Sequence, residues 1–446
     1  MVKLFVRSVA CVLLITTLCA FCLWRNDAIP DLSQITALLQ GTADRLDDLT
    51  SLVQGGQIGA PPVDQNSSYD YVPDGALDAE LEGYIVSAML AHEAEIDLSS
   101  YHIRQGEVQG IFAAIRYSHP ELFFWGNEKN MIGSLGDEVR TFQPEYLYDA
   151  ATVASMMVTY EAQIDAICAG APATGEFDKW LYLHDYFVKN YQYDNTYTIR
   201  DAYTLFTAKT GVCQAYMLGF IAAAQELGLE TIPVTSNAMK HAWNLVKLDG
   251  EWYHVDVTWD DTVSYATYTS YAHFLRSDTS FYHMAVPHHD WSTTERATST
   301  RFDSAAWHDS LTPMVQHDNL YYVTVPTQNS GNDRVMGKVY RGMDPAAMTE
   351  CFAINAIWPA DSSGSYYVGC YTGLAVYGDW LIYNTNNTLR AYHTKTAEHR
   401  LLCMLSLPNG ENIYGIVQIE GTTLIYLTAN HPQSDDTVSY YSYLLA

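Results

Sequence analysis

The chain has 446 residues, which at roughly 150 residues per domain suggests two or three domains. Apolar residues make up 48%, enough for real cores, so disorder, collagen and coiled coil are excluded as whole-chain descriptions. With 23 Lys+Arg against 51 Asp+Glu, the net charge of −28 repels phosphate backbones and anionic lipid surfaces, and nucleic acid is not an expected partner.

At the N-terminus, Lys3 and Arg7 precede an apolar run over residues 9–24, with no acidic residue before Asp27. This is the layout of a secretory signal. As a helix the run would reach roughly 24 Å, short of the ~30 Å hydrocarbon core of a bilayer. Residues 1–25 therefore read as a signal peptide or an uncleaved N-terminal membrane anchor, and both readings place the body in a secreted or cell-surface location. Of the eight cysteines, Cys11, Cys19 and Cys22 lie in this segment. The remaining Cys168, Cys213, Cys351, Cys370 and Cys403 are odd in number, sparse and without CxxC spacing. Neither a disulfide framework nor a structural zinc site is expected.

Residues 26–68 read as a stalk helix and linker. Leu32, Ile35, Leu39, Leu46, Leu49 and Val53 recur at helical spacing, and Gly55-Gly56 and Gly59-Ala60-Pro61-Pro62 end the pattern. The next region, 69–294, opens with four apolar stripes. They are Leu77/Leu81/Tyr84/Ile85/Ala88, Val108/Ile111/Phe112/Ile115, Val153/Met157/Tyr160/Ile164/Ile167 and Phe177/Trp180/Leu183/His184/Phe187/Tyr191. Each predicts a helix with one buried face, and His184 reads as a core histidine. His119-Pro120 stops the second helix, and residues 121–125 then read as a short buried strand.

Residues 213–227 carry no proline and no charge before Glu226, so they predict a helix buried nearly all round, with Cys213 on its first turn. The helix dipole and the free N–H groups of that turn favour a thiolate. Two alternating runs follow, 241–248 and 251–258, separated by Asp249-Gly250, a strong hairpin signal. A two-residue turn pairs Leu248 with Glu251, Trp243 with Asp256 and His241 with Thr258. His241 and Asp256 then share a face one diagonal step apart. A carboxylate there holds one imidazole nitrogen and leaves the other for Cys213, the arrangement that nucleophilic acyl transfer needs. By contrast His283, His288, His289 and Asp290 lack ligand spacing and read as a polar, Pro-containing loop rather than a metal site. Asp260-Asp261 reads as a cap or a turn that takes the chain out of the strand.

From about Glu295 the texture changes to strands and turns. Segments 315–322, 376–383 and 419–426 resemble one another, each a turn with Asp or Gly before an alternating apolar strand. Their leucines Leu320, Leu381 and Leu424 are 61 and 43 residues apart. Residues 295–446 therefore read as an all-β module, propeller-like or a sandwich, for binding or packing.

GVCQAYM around Cys213 and HAWNLVKLDGEWYHVDVTWDD from His241 through Asp256 resemble the transglutaminase-like superfamily, in its exported bacterial branch related to papain-like thiol proteases. The resemblance covers about residues 175–292, including Phe274-Leu275-Arg276-Ser277-Asp278. Where the family has Gly, Tyr and Ala after its Cys-X pair, this chain has Ala215, Tyr216 and Met217. The resemblance implies an α+β fold in which a buried helix bearing Cys213 packs on an antiparallel sheet, with N-terminal helices and a C-terminal all-β module around it. It implies Cys213 as nucleophile, His241 as general base and then acid, and Asp256 as the orienting carboxylate. Gln214 and Trp243 are oxyanion or substrate-positioning candidates, and neither metal nor cofactor is required. The expected substrate is a protein or peptide amide, hydrolysed or transferred to an amine through a thioester. The alternative is a surface binding protein built on a non-catalytic scaffold of this fold.

Overall fold

A computed structural model of the chain describes residues 77–261, 268–326, 337–359, 366–368, 371–407, 410–430 and 438–445. The signal or anchor, the stalk and linker, and Cys370 lie outside the described residues. Among the described residues no helix is long and apolar enough to cross a membrane.

Helix α1 (Ala79–Leu90) starts where the Asp78 carboxylate accepts the N–H groups of Glu80 and Leu81 at 3.0 Å, and it buries Leu81, Ile85, Val86, Ala88 and Met89. Strand β1 (Ile96–Asp97) and helix α2 (Val108–Ser118) follow. The expected strand over 121–125 does not form. Pro120 opens a 3-10 turn, Pro120–Leu122, in which Leu122 N–H donates to His119 O and Trp125 N–H to Leu122 O. Proline supplies the helical φ and no ladder donor. The apolar run is buried as a turn, and only Trp125 makes a bridge, to Tyr146. A hairpin that the sequence pattern does not announce comes next, β2 (Met131–Leu135) with β3 (Glu138–Gln143), in the sheet order β1-β3-β2. Every β2 residue is exposed, so it carries no alternation to read.

Helices α3 (Ala150–Cys168) and α4 (Glu176–Asn190) bury the expected faces, Val153, Tyr160, Ile164 and Ile167 on one and Trp180, Leu183, His184 and Phe187 on the other. Between α4 and the next long helix lie β4 (Gln192–Tyr193), α5 (Ala202–Ala208) and β5 (Thr210–Gly211), with β4 and β5 paired in parallel. Helix α6 (Cys213–Glu226) is the central element, with 11 of its 14 residues buried. Each fully buried Leu, Ile, Phe or Met contributes roughly 1.5–3 kcal/mol. Gly219 permits its close packing, because a Cβ there would meet Leu205 at 2.8 Å, Phe206 at 3.0 Å and Phe187 at 3.2 Å.

Helix α6 packs on an antiparallel sheet in the order β6 (Thr231–Ser236), β7 (His241–Leu248), β8 (Glu251–Val255) and β9 (Phe274–Arg276). The Asn244 side chain on β7 donates to Met217 O of α6 at 3.3 Å. Asp249 and Gly250 both take positive φ, 52° and 85°, as the two-residue turn requires. The β7–β8 register is the expected one from Leu248↔Glu251 to Asn244↔Val255. It stops there, so Trp243 and His241 do not face Asp256 and Thr258 across a ladder. Asp256 instead N-caps the short helix α7 (Val257–Asp260), accepting the N–H groups of Thr258 and Trp259. An aspartate that can cap its own downstream N–H groups competes with the ladder and wins here. Helix α8 (Asp278–Tyr282) follows β9.

The C-terminal strands form meanders. Strands β10 (Val315–His317), β11 (Leu320–Val325), β12 (Gly337–Gly342) and β13 (Thr349–Ile354) make one sheet, and β14 (Ile357–Pro359) pairs with β15 (Tyr366–Val368). Strands β16 (Leu374–Tyr377), β17 (Trp380–Asn384), β18 (Thr388–His393) and β19 (His399–Met404) make another. The last holds β20 (Asn412–Glu420), β21 (Thr423–Ala429) and β22 (Ser439–Leu444). The three similar segments are the β10–β11, β16–β17 and β20–β21 hairpins. Their two-residue turns begin at Asp318, Gly378 and Gly421 with φ of 49°, 57° and 60°. Strand β11 joins two cores by its alternation. Tyr321, Val323 and Val325 belong to the cluster that contains α6, and Tyr322 belongs to the cluster of Trp358, Leu374, Leu381 and Leu427.

Candidate active site

Cys213 is the first residue of α6 and is 2% exposed. Its placement begins with Asp194. One carboxylate oxygen accepts the N–H and hydroxyl of Thr196, and the other accepts the N–H groups of Thr198 and Ile199. Burial opposes ionisation of this carboxyl, but these hydrogen bonds hold it well below the usual range. The loop so fixed presents Ile199 O to Val212 N–H at 2.9 Å, and Val212 O then receives the N–H groups of Ala215 and Tyr216 as α6 starts.

His241, at the start of β7, is 1% exposed, and its Nε2 lies 2.6 Å from Asp256 Oδ2. It also shares a hydrogen bond with Cys213. Because Nε2 is given to Asp256, Nδ1 is the nitrogen left for the thiol. Burial alone would lower the imidazole pKa. The charges of Asp256 and Cys213, with hydrogen bonds to both, overcome this and push it up to about 10. Asp256 is wholly buried; burial would raise its carboxyl, but the His241 charge and hydrogen bonds from His241 and His288 hold it well below the usual range. The structure therefore brings Cys213, His241 and Asp256 together.

The other two candidates, Trp243 and Gln214, have different surroundings. Trp243 Nε1 donates to His254 Nδ1 at 3.0 Å, so its N–H is committed, and its ring stacks 5.4 Å from the His241 ring. Gln214 is half-buried and lines a cavity of about 510 Å³ with Leu218, Arg116, Trp125 and Glu145.

Two features escape sequence reasoning. First, His288 leaves its polar loop and is wholly buried, with Nε2 2.9 Å from the same Asp256 Oδ2. Its loop neighbours behave as expected, His289 pairing with exposed Asp290. Burial pushes the His288 imidazole down to about 3. Second, Asp260 is a buried hub and not simply a cap or turn at the end of the strand. It accepts from His184 Nε2 at 3.1 Å, His273 Nδ1 at 3.0 Å and Ser270 Oγ at 2.9 Å. Burial would raise its carboxyl; the hydrogen bonds and charges of the two histidines hold it well below the usual range. Helix α7 thus has a carboxylate at each end, one turn apart, and each grips two buried imidazoles. The only sequence signal is the Asp-x-x-x-Asp spacing of 256 and 260, legible once residues 257–260 are known to be helical. Asp261 beside it is pushed up to about 7 by burial and accepts a hydrogen bond from Tyr216 on α6.

Ligand atoms of His241, Asp256 and His288 lie within 4.8 Å of one another, as metal ligands could. Both imidazoles, however, direct Nε2 at one carboxylate oxygen at hydrogen-bond distance, and Asp256 Oδ1 is taken by two backbone N–H groups. This set fits a hydrogen-bonded carboxylate better than a cation.

Residues 165–257 match the family model of the transglutaminase-like superfamily, a span that holds Cys213, His241 and Asp256. The match marks a transglutaminase-like domain within a structure of mixed helix and sheet that has all-β sheets at its C-terminal end. Among solved structures it is similar to a TGase at 16% identity, covering 37% of this chain and 50% of that one, with a TM-score of 0.22. It is also similar to a proposed cysteine protease from Cytophaga hutchinsonii at 12% identity, covering 30% and 62%, with a TM-score of 0.20. The chain thus spans about half the length of the TGase that it matches. No curated protein matches it.

Proposed function

We propose that this chain is a thiol-dependent acyl-transfer enzyme acting on protein or peptide amides. The observation that carries this reading is the buried hydrogen-bonded series from Cys213 through His241 to Asp256, with 2.6 Å between the imidazole and the carboxylate. A neutral scaffold has no need to bury an imidazole and a carboxylate beside a thiol, because each buried charge is costly unless paired. The Cys213 thiolate attacks the amide carbonyl carbon, and the backbone N–H of Cys213 is the oxyanion donor we favour. His241 gives its proton to the leaving amine or ammonia as the C–N bond breaks, and a thioester remains. Water or a primary amine then attacks the thioester, His241 takes the proton of that nucleophile, and the thiolate is released. Asp256 holds the imidazole in orientation and stabilises its cation throughout. The N-terminal run supports action outside the cytoplasm, at or beyond the cell surface.

The test is mass spectrometry of a peptide pool incubated with the full chain and a primary amine. Loss of ammonia with gain of the amine assigns transfer, and chain cleavage assigns hydrolysis. Cys213→Ala should lose about 10³-fold or more of either activity with the fold intact. Turnover by Cys213→Ala at the wild-type rate would refute the assignment. Absence of any product with a correctly folded wild type would favour the scaffold reading, with binding carried by the C-terminal sheets.

A further inference from the structure

His288 lies 31 residues beyond the end of the family match. Its ring is wholly buried between Phe281, Trp259 and Trp243, with ring centroids at 4.0, 4.3 and 4.9 Å. The loop that carries it is pinned on both sides. His288 N–H donates to Phe281 O at 3.1 Å, and Thr235 and Ser292 exchange backbone hydrogen bonds at 2.8 and 3.2 Å. Its Nε2 reaches Asp256 Oδ2, the oxygen that also takes His241. An ionised carboxylate only accepts, so both imidazoles donate there. With Thr258 and Trp259 on the other oxygen, the carboxylate meets four donors and has one orientation. His288 Nδ1 is buried without a hydrogen-bond partner among the described residues, so the Nε2–H tautomer alone fits, and a second proton would sit on Nδ1 as a buried donor with no acceptor.

We propose that His288 is a positioning residue, a permanently neutral imidazole whose Nε2–H fixes the Asp256 carboxylate on His241 and so keeps His241 aligned with Cys213. This rests on the thiol acyl-transfer reading of those three residues. Other titratable groups face the set. His273 has its ring 5.4 Å from that of His288, but its Nδ1 is given to Asp260. His254 lies beyond Trp243 and is held by it and by Asp278. Asp260 is occupied by His184, His273 and Ser270. None of them competes for Asp256.

The experiment measures the rate of Cys213 alkylation by iodoacetamide against pH in the full chain, for wild type, His288→Gln and His288→Phe. Glutamine keeps an N–H donor of similar reach and loses the ring; phenylalanine keeps the ring and loses the donor. A positioning donor predicts that the acid-side midpoint rises by about one pH unit in the Phe variant, with the Gln variant close to wild type. A Phe variant that matches wild type, or two variants that shift alike, assigns His288 to packing and overturns the proposal. A wild-type midpoint at the free-thiol value would instead overturn the reading of Cys213 itself. Should the Phe variant not fold, the wild-type imidazole ¹⁵N spectrum decides. A neutral Nε2–H ring from about pH 5 to pH 8 supports the proposal, and titration in that window or an Nδ1–H ring overturns it.

Discussion

The sheet under α6 and the C-terminal sheets are both well packed, yet they bury different chemistry. Among the described residues, every buried Asp and His lies between His184 and His308, and the buried polar groups of β11 through β22 are Thr and Asn. A Thr or Asn satisfies its hydrogen bonds locally, as Asn384 does with Gly373 N–H and Tyr371 O. A buried carboxylate or imidazole is tolerable only inside a paired network. The difference teaches where stability alone does not explain the composition. Asp256 and Asp260 with their four histidines form such networks, and His241 links the first of them to the thiol, whereas the C-terminal sheets could be built by packing rules alone.

Substitutions can break this contrast. The largest effect is expected from Asp260→Ala, which strips the shared acceptor from His184, His273 and Ser270. Removing one partner of a buried pair costs about 3–5 kcal/mol. Urea unfolding should show that loss, and because α7 links Asp260 to Asp256, alkylation of Cys213 should slow as well. Leu381→Ala in β17 is the counterpart. Leu381 is fully buried, and its truncation should cost about 2–4 kcal/mol. Its smaller consequence is the informative one, because the alkylation rate of Cys213 in the folded protein should not change. Equal effects of both substitutions on Cys213 would dissolve the distinction between the two regions.

Much of this architecture is legible in the sequence, for physical reasons that also mark where reading stops. Helix α6 declares itself by an unbroken apolar stretch, and the β7–β8 hairpin by strict alternation about Asp249-Gly250. The four amphipathic stripes emerge as α1 to α4. The strand expected at 121–125 fails because a short apolar run has no period that separates strand from turn, and Pro120 decides for the turn. The β2–β3 hairpin is silent because β2 buries nothing. At the site, the proximity of His241 and Asp256 follows from the hairpin even though the ladder ends one residue before Asp256. His288 is illegible because loop residues carry no periodicity. Its burial depends on where Phe281, Trp259 and Trp243 leave room, which is a property of the assembled fold.

The central claim is that His241 and Cys213 act as one titrating pair. Alkylation of Cys213 against pH, in wild type and His241→Ala, tests it most directly. Cys168 serves as an internal reference, since burial pushes its thiol up to about 11. The pair predicts wild-type alkylation that persists well below the free-thiol value of about 8.5 and a His241→Ala midpoint that returns toward it. Superimposable curves, both with the midpoint of a free thiol, would contradict the account.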